Sequence, residues 1–89
     1  MAARYGIVQT QQFTDLVEAL TDPQRRELAG LYEILMAAPL PGQSVLSITP
    51  YPYIEGGYVV PFAGGLIIYT VHPRHRVIGM LDMIGVAAG

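Results

Sequence analysis

Cysteine is absent from this 89-residue chain, and so is lysine: its basic side chains are five arginines and two histidines. Without thiols there is no disulfide, no thiolate metal site and no thiol nucleophile, and nothing marks an oxidising compartment, so a cytoplasmic protein is expected. Charge of either sign is scarce. Charged residues make up 13% of the sequence, well below the usual quarter or so. The formal net charge is -2. Nucleic-acid affinity rests mainly on phosphate neutralisation, so the overall balance argues against a strong non-specific RNA or DNA binder, while leaving room for a local basic patch.

A membrane-spanning run is also missing. The longest charge-free stretch, Ile34 to Ile54, contains Pro39, Pro41, Pro50 and Pro52 with Gln43 and Ser44, and cannot form a membrane helix. The apolar run from Tyr58 to Val71 is broken by Pro61 and by Gly64-Gly65. The opening Met-Ala-Ala-Arg-Tyr carries no basic segment followed by an apolar core and no lipidation motif, so neither export nor a membrane anchor is expected.

Apolar residues, in contrast, make up 52% of the chain. A chain of this length suits one domain spanning 1–89, and a domain of that size buries only about two thirds of its unfolded surface. Some apolar surface is therefore expected to stay exposed, which in a small protein marks a partner interface or contacts between subunits of a homo-oligomer.

From Arg4 to Thr10 the residues alternate in a way that suits a strand with Tyr5 and Ile7 facing a core. Phe13, Leu16, Val17 and Leu20 then fall at helical spacing, with Thr10 as N-cap. Thr21-Asp22-Pro23-Gln24 starts a second helix, either with Asp22 as cap or as a capping box from Thr21 to Gln24. Its stripe is Leu28, Leu31, Tyr32 and Leu35, and Pro39 to Gly42 ends it. Arg25, Arg26 and Glu27 read as its solvated face.

Beyond Gly42 the period changes to that of strands. Val45 to Thr49, Tyr58 to Phe62, Leu66 to Val71 and Arg76 to Ile84 are predicted strands, separated by Pro50 to Tyr53, by Glu55-Gly56-Gly57, by Ala63 to Gly65 and by His72 to His75. Leu66-Ile67-Ile68-Tyr69 is almost continuously apolar and should be the central strand, buried on both faces. Gly79 is a candidate bulge, and Gly85 to Gly89 a small tail. The predicted class is α+β: an N-terminal strand, then a two-helix hairpin packed on an antiparallel sheet of about four strands.

That order resembles the RelE/ParE superfamily of bacterial type II toxins. The likeness is carried by Tyr5-Gly6-Ile7-Val8-Gln9-Thr10, the Asp22-Pro23 helix start, Pro39 to Gly42 and Gly57-Tyr58-Val59-Val60. Above all it rests on Leu66-Ile67-Ile68-Tyr69-Thr70-Val71 with Val77-Ile78-Gly79-Met80-Leu81 after the turn. It implies a toxin of a toxin-antitoxin pair, a cognate antitoxin as partner, and either ribosome-dependent mRNA cleavage or gyrase inhibition. Members that cut mRNA usually carry an arginine on the central strand where this chain has Leu66. They also place basic groups on or after the last strand, where this chain has Asp82. A non-toxic family member serving as a protein-interaction or homo-oligomeric module is the alternative. Antitoxins of the family wrap the helical hairpin and the sheet edge, and Ile34, Met36 and Leu40 are candidates for that interface or for the core.

One ionisable cluster has chemical promise. His72, Arg74, His75 and Arg76 offer imidazoles that exchange protons near neutral pH and guanidiniums that hold phosphate, so they are the candidate catalytic residues. The same residues suit a solvated hairpin turn better, because turns are exposed and no third element is in view. Two histidines without cysteine or a nearby acidic partner do not make a metal site. No cofactor is implied. Tyr51, Tyr53 and Tyr58 are candidates for base stacking, although tyrosines interleaved with prolines are more often packing or interface residues.

Overall fold

The computed structural model describes residues 4–86. Its elements run β1 Gly6–Gln9, α1 Gln11–Glu18, α2 Asp22–Ala37, β2 Thr49–Pro50, β3 Gly57–Phe62, β4 Gly65–His72 and β5 Val77–Ile84. The strands form one sheet in the order β1-β5-β4-β3-β2. Neighbours are antiparallel except β1 and β5, which run parallel, with Gly6 beside Val77 and Gln9 beside Met80.

Both helices begin where local chemistry dictates. Thr10 Oγ1 accepts the Phe13 N–H at 3.1 Å and starts α1. Of the two starts open to α2, the capping box is the one formed. Thr21 Oγ1 accepts from Gln24 N at 3.3 Å, and the Gln24 side chain accepts from Thr21 N at 2.9 Å. Arg25 does not simply face solvent: it reaches back to the end of α1, donating from Nε to the Val17 carbonyl at 3.2 Å and from the guanidinium to the Glu18 carbonyl at 2.5 Å. Those carbonyls belong to the last turn of α1, where the regular helical donors run out; the Val17 carbonyl also accepts from Leu20 N at 3.1 Å.

The helices lie on one face of the sheet. Phe13 from α1, Leu20 from the connection and Leu28, Leu31 and Leu35 from α2 share a core with Val60, Phe62, Ile67, Tyr69, Val71, Ile78, Met80 and Met83. Alternation sends the remaining strand residues to the opposite, open face. β4 lies at the centre, as expected, and is buried on both sides from Ile67 to Val71; Leu66, the first residue of the apolar run, is exposed instead. Tyr69 is fully buried, and its hydroxyl donates to the Pro39 carbonyl at 2.8 Å, tying the end of the helical layer to the sheet.

Several expectations are corrected. The sheet has five strands rather than about four, because β1 joins it at the far edge beside β5. Val45 to Thr49 is not a strand: Val45 is 94% exposed, and only Thr49 and Pro50 pair, with Val59 and Tyr58. Its apolar alternation finds no neighbouring edge there. The last strand does carry a bulge, but at Leu81 rather than Gly79: Ile68 and Tyr69 on β4 pair with Asp82 and Met80 and leave Leu81 extra on β5. Gly79 is in regular register opposite Thr70, and it is small for another reason. A Cβ on it would stand 2.9 Å from Thr70 Oγ1. Of the predicted tail, Gly85 and Val86 are described and Val86 packs on the core, while 87–89 lie outside the described residues.

Candidate functional site

The four candidate catalytic residues come from the connection between the two longest strands. His72 closes β4 and pairs with Val77 at the start of β5, so residues 73–76 form the turn. His75 N donates to the His72 carbonyl at 3.2 Å and Arg76 N to the Pro73 carbonyl at 3.4 Å. Arg76 takes φ of 51°, the left-handed conformation that reverses the chain.

The turn divides these residues. His72, Arg74 and His75 line a cleft of about 460 Å³ whose other wall is the Glu55-Gly56 turn, with Val71 at its base. The walls are joined through Val71 N, which donates to the Gly56 carbonyl at 3.0 Å. Arg76 is not part of the cleft lining; its guanidinium carbon stands 5.8 Å from the centre of the Tyr5 ring. His72 Nε2 and Thr70 Oγ1 share a hydrogen bond of 3.0 Å, which fixes that imidazole on the open face of the sheet. The cleft thus combines groups able to move a proton with a guanidinium able to hold an anion, and Glu55 adds a carboxylate. Among the described residues no group of three or more His, Asp or Glu side chains stands close enough to hold a metal ion.

Leu66, where the resemblance places an arginine in mRNA-cutting toxins, stands at the other end of β4, about 20 Å from His72 at the usual strand rise. It is 41% exposed on the open face, paired with Pro61 on β3 and Ile84 on β5. The surroundings are apolar. Asp82, two residues before Ile84, turns its Oδ1 to the Met83 N–H at 2.8 Å. No described strand neighbour supplies Leu66 with a cation.

Sequence reasoning missed two features. The first is a mainly apolar groove of about 690 Å³ between α2 and the β3–β4 turn, lined by Gly30, Leu31, Ile34 and Leu46 against Phe62 and Ala63, with Glu27 its one charged lining residue. A glycine in mid-helix was its only signal: Gly30 has open space where a side chain would stand. Of the three interface candidates, Ile34 lines this groove, Leu40 packs on the core and Met36 is half-buried. The second is the shape of the tyrosine segment, which is not extended. Ile54 N donates to the Tyr51 carbonyl at 3.3 Å, closing a turn in which the Tyr51 and Tyr53 rings meet edge-on at 5.2 Å. Tyr58 instead faces the core, 6.0 Å from the Tyr69 ring.

Two helices on a five-stranded, mostly antiparallel sheet, with a parallel first strand, make a fold that is found in solved toxin-antitoxin complexes. Among solved structures the chain is similar to the archaeal RelE-RelB complex from Pyrococcus horikoshii, with a TM-score of 0.72 and 18% identity over 90% of this chain and 92% of that one. It is also similar to the RelBE2 toxin-antitoxin complex of Mycobacterium tuberculosis, with a TM-score of 0.63 and 18% identity over 90% of this chain and 95% of that one. No protein-family model and no curated protein sequence matches. At this identity the likeness is one of fold.

Proposed function

We propose that the chain is the toxin of a type II toxin-antitoxin pair and that it acts by binding its target rather than by cutting RNA. The observation that carries the first part is the match in fold, over nine tenths of this chain, to proteins solved as RelE-RelB and RelBE2 complexes. The surroundings of Leu66 support the second. Cleavage through a ribose hydroxyl needs donors for the developing charge on phosphorus, and a single preorganised donor contributes roughly 3 kcal/mol to such a transition state. Leu66, Pro61 and Ile84 supply none. The antitoxin is then the natural occupant of the apolar groove beside α2, where Ile34, Leu46 and Phe62 present the kind of surface an apolar helix face covers.

Tight induction of the chain alone in bacterial cells, with translation and DNA supercoiling followed in parallel, tests this reading. Arrest with altered supercoiling and intact translation is the expected result, and it should be relieved by the antitoxin. Loss of translation with cleaved mRNA would overturn the binding mechanism. A second reading, a non-toxic interaction or homo-oligomeric module, is favoured by the same groove and by the exposure of Val45 and Ile84. It calls for normal growth and a protein that elutes above monomer size.

A further inference from the structure

Both histidines and two of the five arginines of an acidic chain fall within five consecutive residues, from His72 to Arg76. The structure then sets His72, Arg74 and His75 on one wall of a cleft. A net charge of -2 does not repel an anion from a patch where positive groups are gathered this way, because the field at short range is set by nearby charges. Arg74 is in no ion pair with a described residue.

The opposite wall is unusual in a different respect. It is the end of the turn that begins at Tyr51, and Tyr53, two residues before Glu55, has its side chain 84% exposed. An aromatic ring this open normally swings freely, yet Tyr51 braces it edge-on at 5.2 Å. The turn is itself pinned from below. The Ile54 and Tyr51 carbonyls stand 2.9 and 3.0 Å from where a Cβ on Gly57 would be, so the chain is laid directly over that glycine. Tyr51 N also donates to the Gly57 carbonyl at 2.9 Å. Tyr53 is thus a braced, solvent-facing ring two residues along the chain from Glu55, which lines the cleft.

We propose that this cleft is a nucleotide-binding site. Arg74 and the imidazoles of His72 and His75 hold the phosphate, the base stacks on Tyr53, and the Glu55 carboxylate accepts hydrogen bonds from the ribose hydroxyls. The volume of about 460 Å³ lies within the range of small-ligand pockets. A guanidinium matches the geometry of a phosphate, and an aromatic face accepts any base. Glu55 should make inorganic phosphate alone a poor occupant, because without a sugar to satisfy it the carboxylate repels the anion. The site lies at the opposite end of β4 from Leu66 and does not depend on the toxin reading.

The test is a titration of the isotope-labelled full chain, followed by NMR, with adenosine 5′-monophosphate, adenosine and inorganic phosphate in turn. The monophosphate should give saturable shifts at residues 53–56 and 72–75 and bind more tightly than either fragment. The double change Arg74→Ala with His75→Ala should weaken it about tenfold or more, the usual cost of a lost charge-assisted contact. Tyr53→Leu should weaken the monophosphate and leave phosphate unchanged, and Glu55→Gln should tighten phosphate. All these positions are exposed, and spectra of the free variants report whether each remains folded. Absence of saturable shifts where a millimolar site would fill overturns the proposal. Equal binding of phosphate and monophosphate, or indifference to Tyr53→Leu, overturns the nucleotide assignment.

Discussion

Tyr69 joins the helical layer to the sheet through one oxygen atom, and its loss should be felt. Tyr69→Phe leaves the buried Pro39 carbonyl without its donor and should cost about 1–2 kcal/mol in urea denaturation. Burial, helped by the nearby Tyr58, also raises the Tyr69 pKa well above the ordinary phenol value, and burial does the same for Tyr32. The folded chain therefore holds these protons more tightly than the unfolded chain. The associated stability is complete below about pH 10, the unfolded phenol pKa, and is lost as pH rises toward the folded values. Denaturation midpoints measured between about pH 8 and about pH 11 should fall, and less steeply in Tyr69→Phe. Gly79 makes a second test. Thr70 is buried and hydrogen-bonded to His72, so Gly79→Ala should destabilise the fold by about 1–3 kcal/mol and perturb the His72 imidazole resonances. Adding Thr70→Ala should restore part of the stability.

At the scale of elements, what was legible in the sequence is what local chemistry decides. The stripe Phe13, Leu16, Val17 and Leu20 and the box Thr21 to Gln24 placed both helices, because helical spacing and capping involve residues three or four apart. Thr21→Ala should accordingly cost about 1 kcal/mol and lower the melting temperature, with Gln24→Ala having a smaller effect. The hairpin between β3 and β4 was nearly as legible: of the expected connection Ala63 to Gly65, Ala63 and Gly64, with φ of 48° and 83°, form the turn, while Gly65 pairs with Phe62 and opens β4. What was not legible depends on distant partners. Nothing near Val45 reveals that no strand edge reaches it, and nothing in Gly6 to Gln9 reveals that it pairs with β5. The candidate site shows the same division. His72 to Arg76 was found as a turn of ionisable groups, but its division between a cleft and a Tyr5 contact follows from the fold around it. Glu55 and Tyr53 came from another part of the chain.

For the molecule as a whole, the two surfaces proposed for partners should behave independently. Ile34→Glu places a charge in the apolar groove and should weaken the complex with the antitoxin at least tenfold in a pull-down or calorimetric titration, while leaving nucleotide shifts at residues 72–75 unchanged. Leu66→Arg, at the far end of β4, should create no RNA cleavage in a ribosome assay, because one guanidinium between Pro61 and Ile84 has no second cation or base to work with. The position of β1 has a further consequence, which concerns time. Of the described strands, the earliest in the chain docks beside the latest, so the sheet under the helices cannot close until β5 has been made. Until then α1 and α2 have only part of the surface they cover. A partner that recognises the folded form therefore meets it only after β1 and β5 have paired.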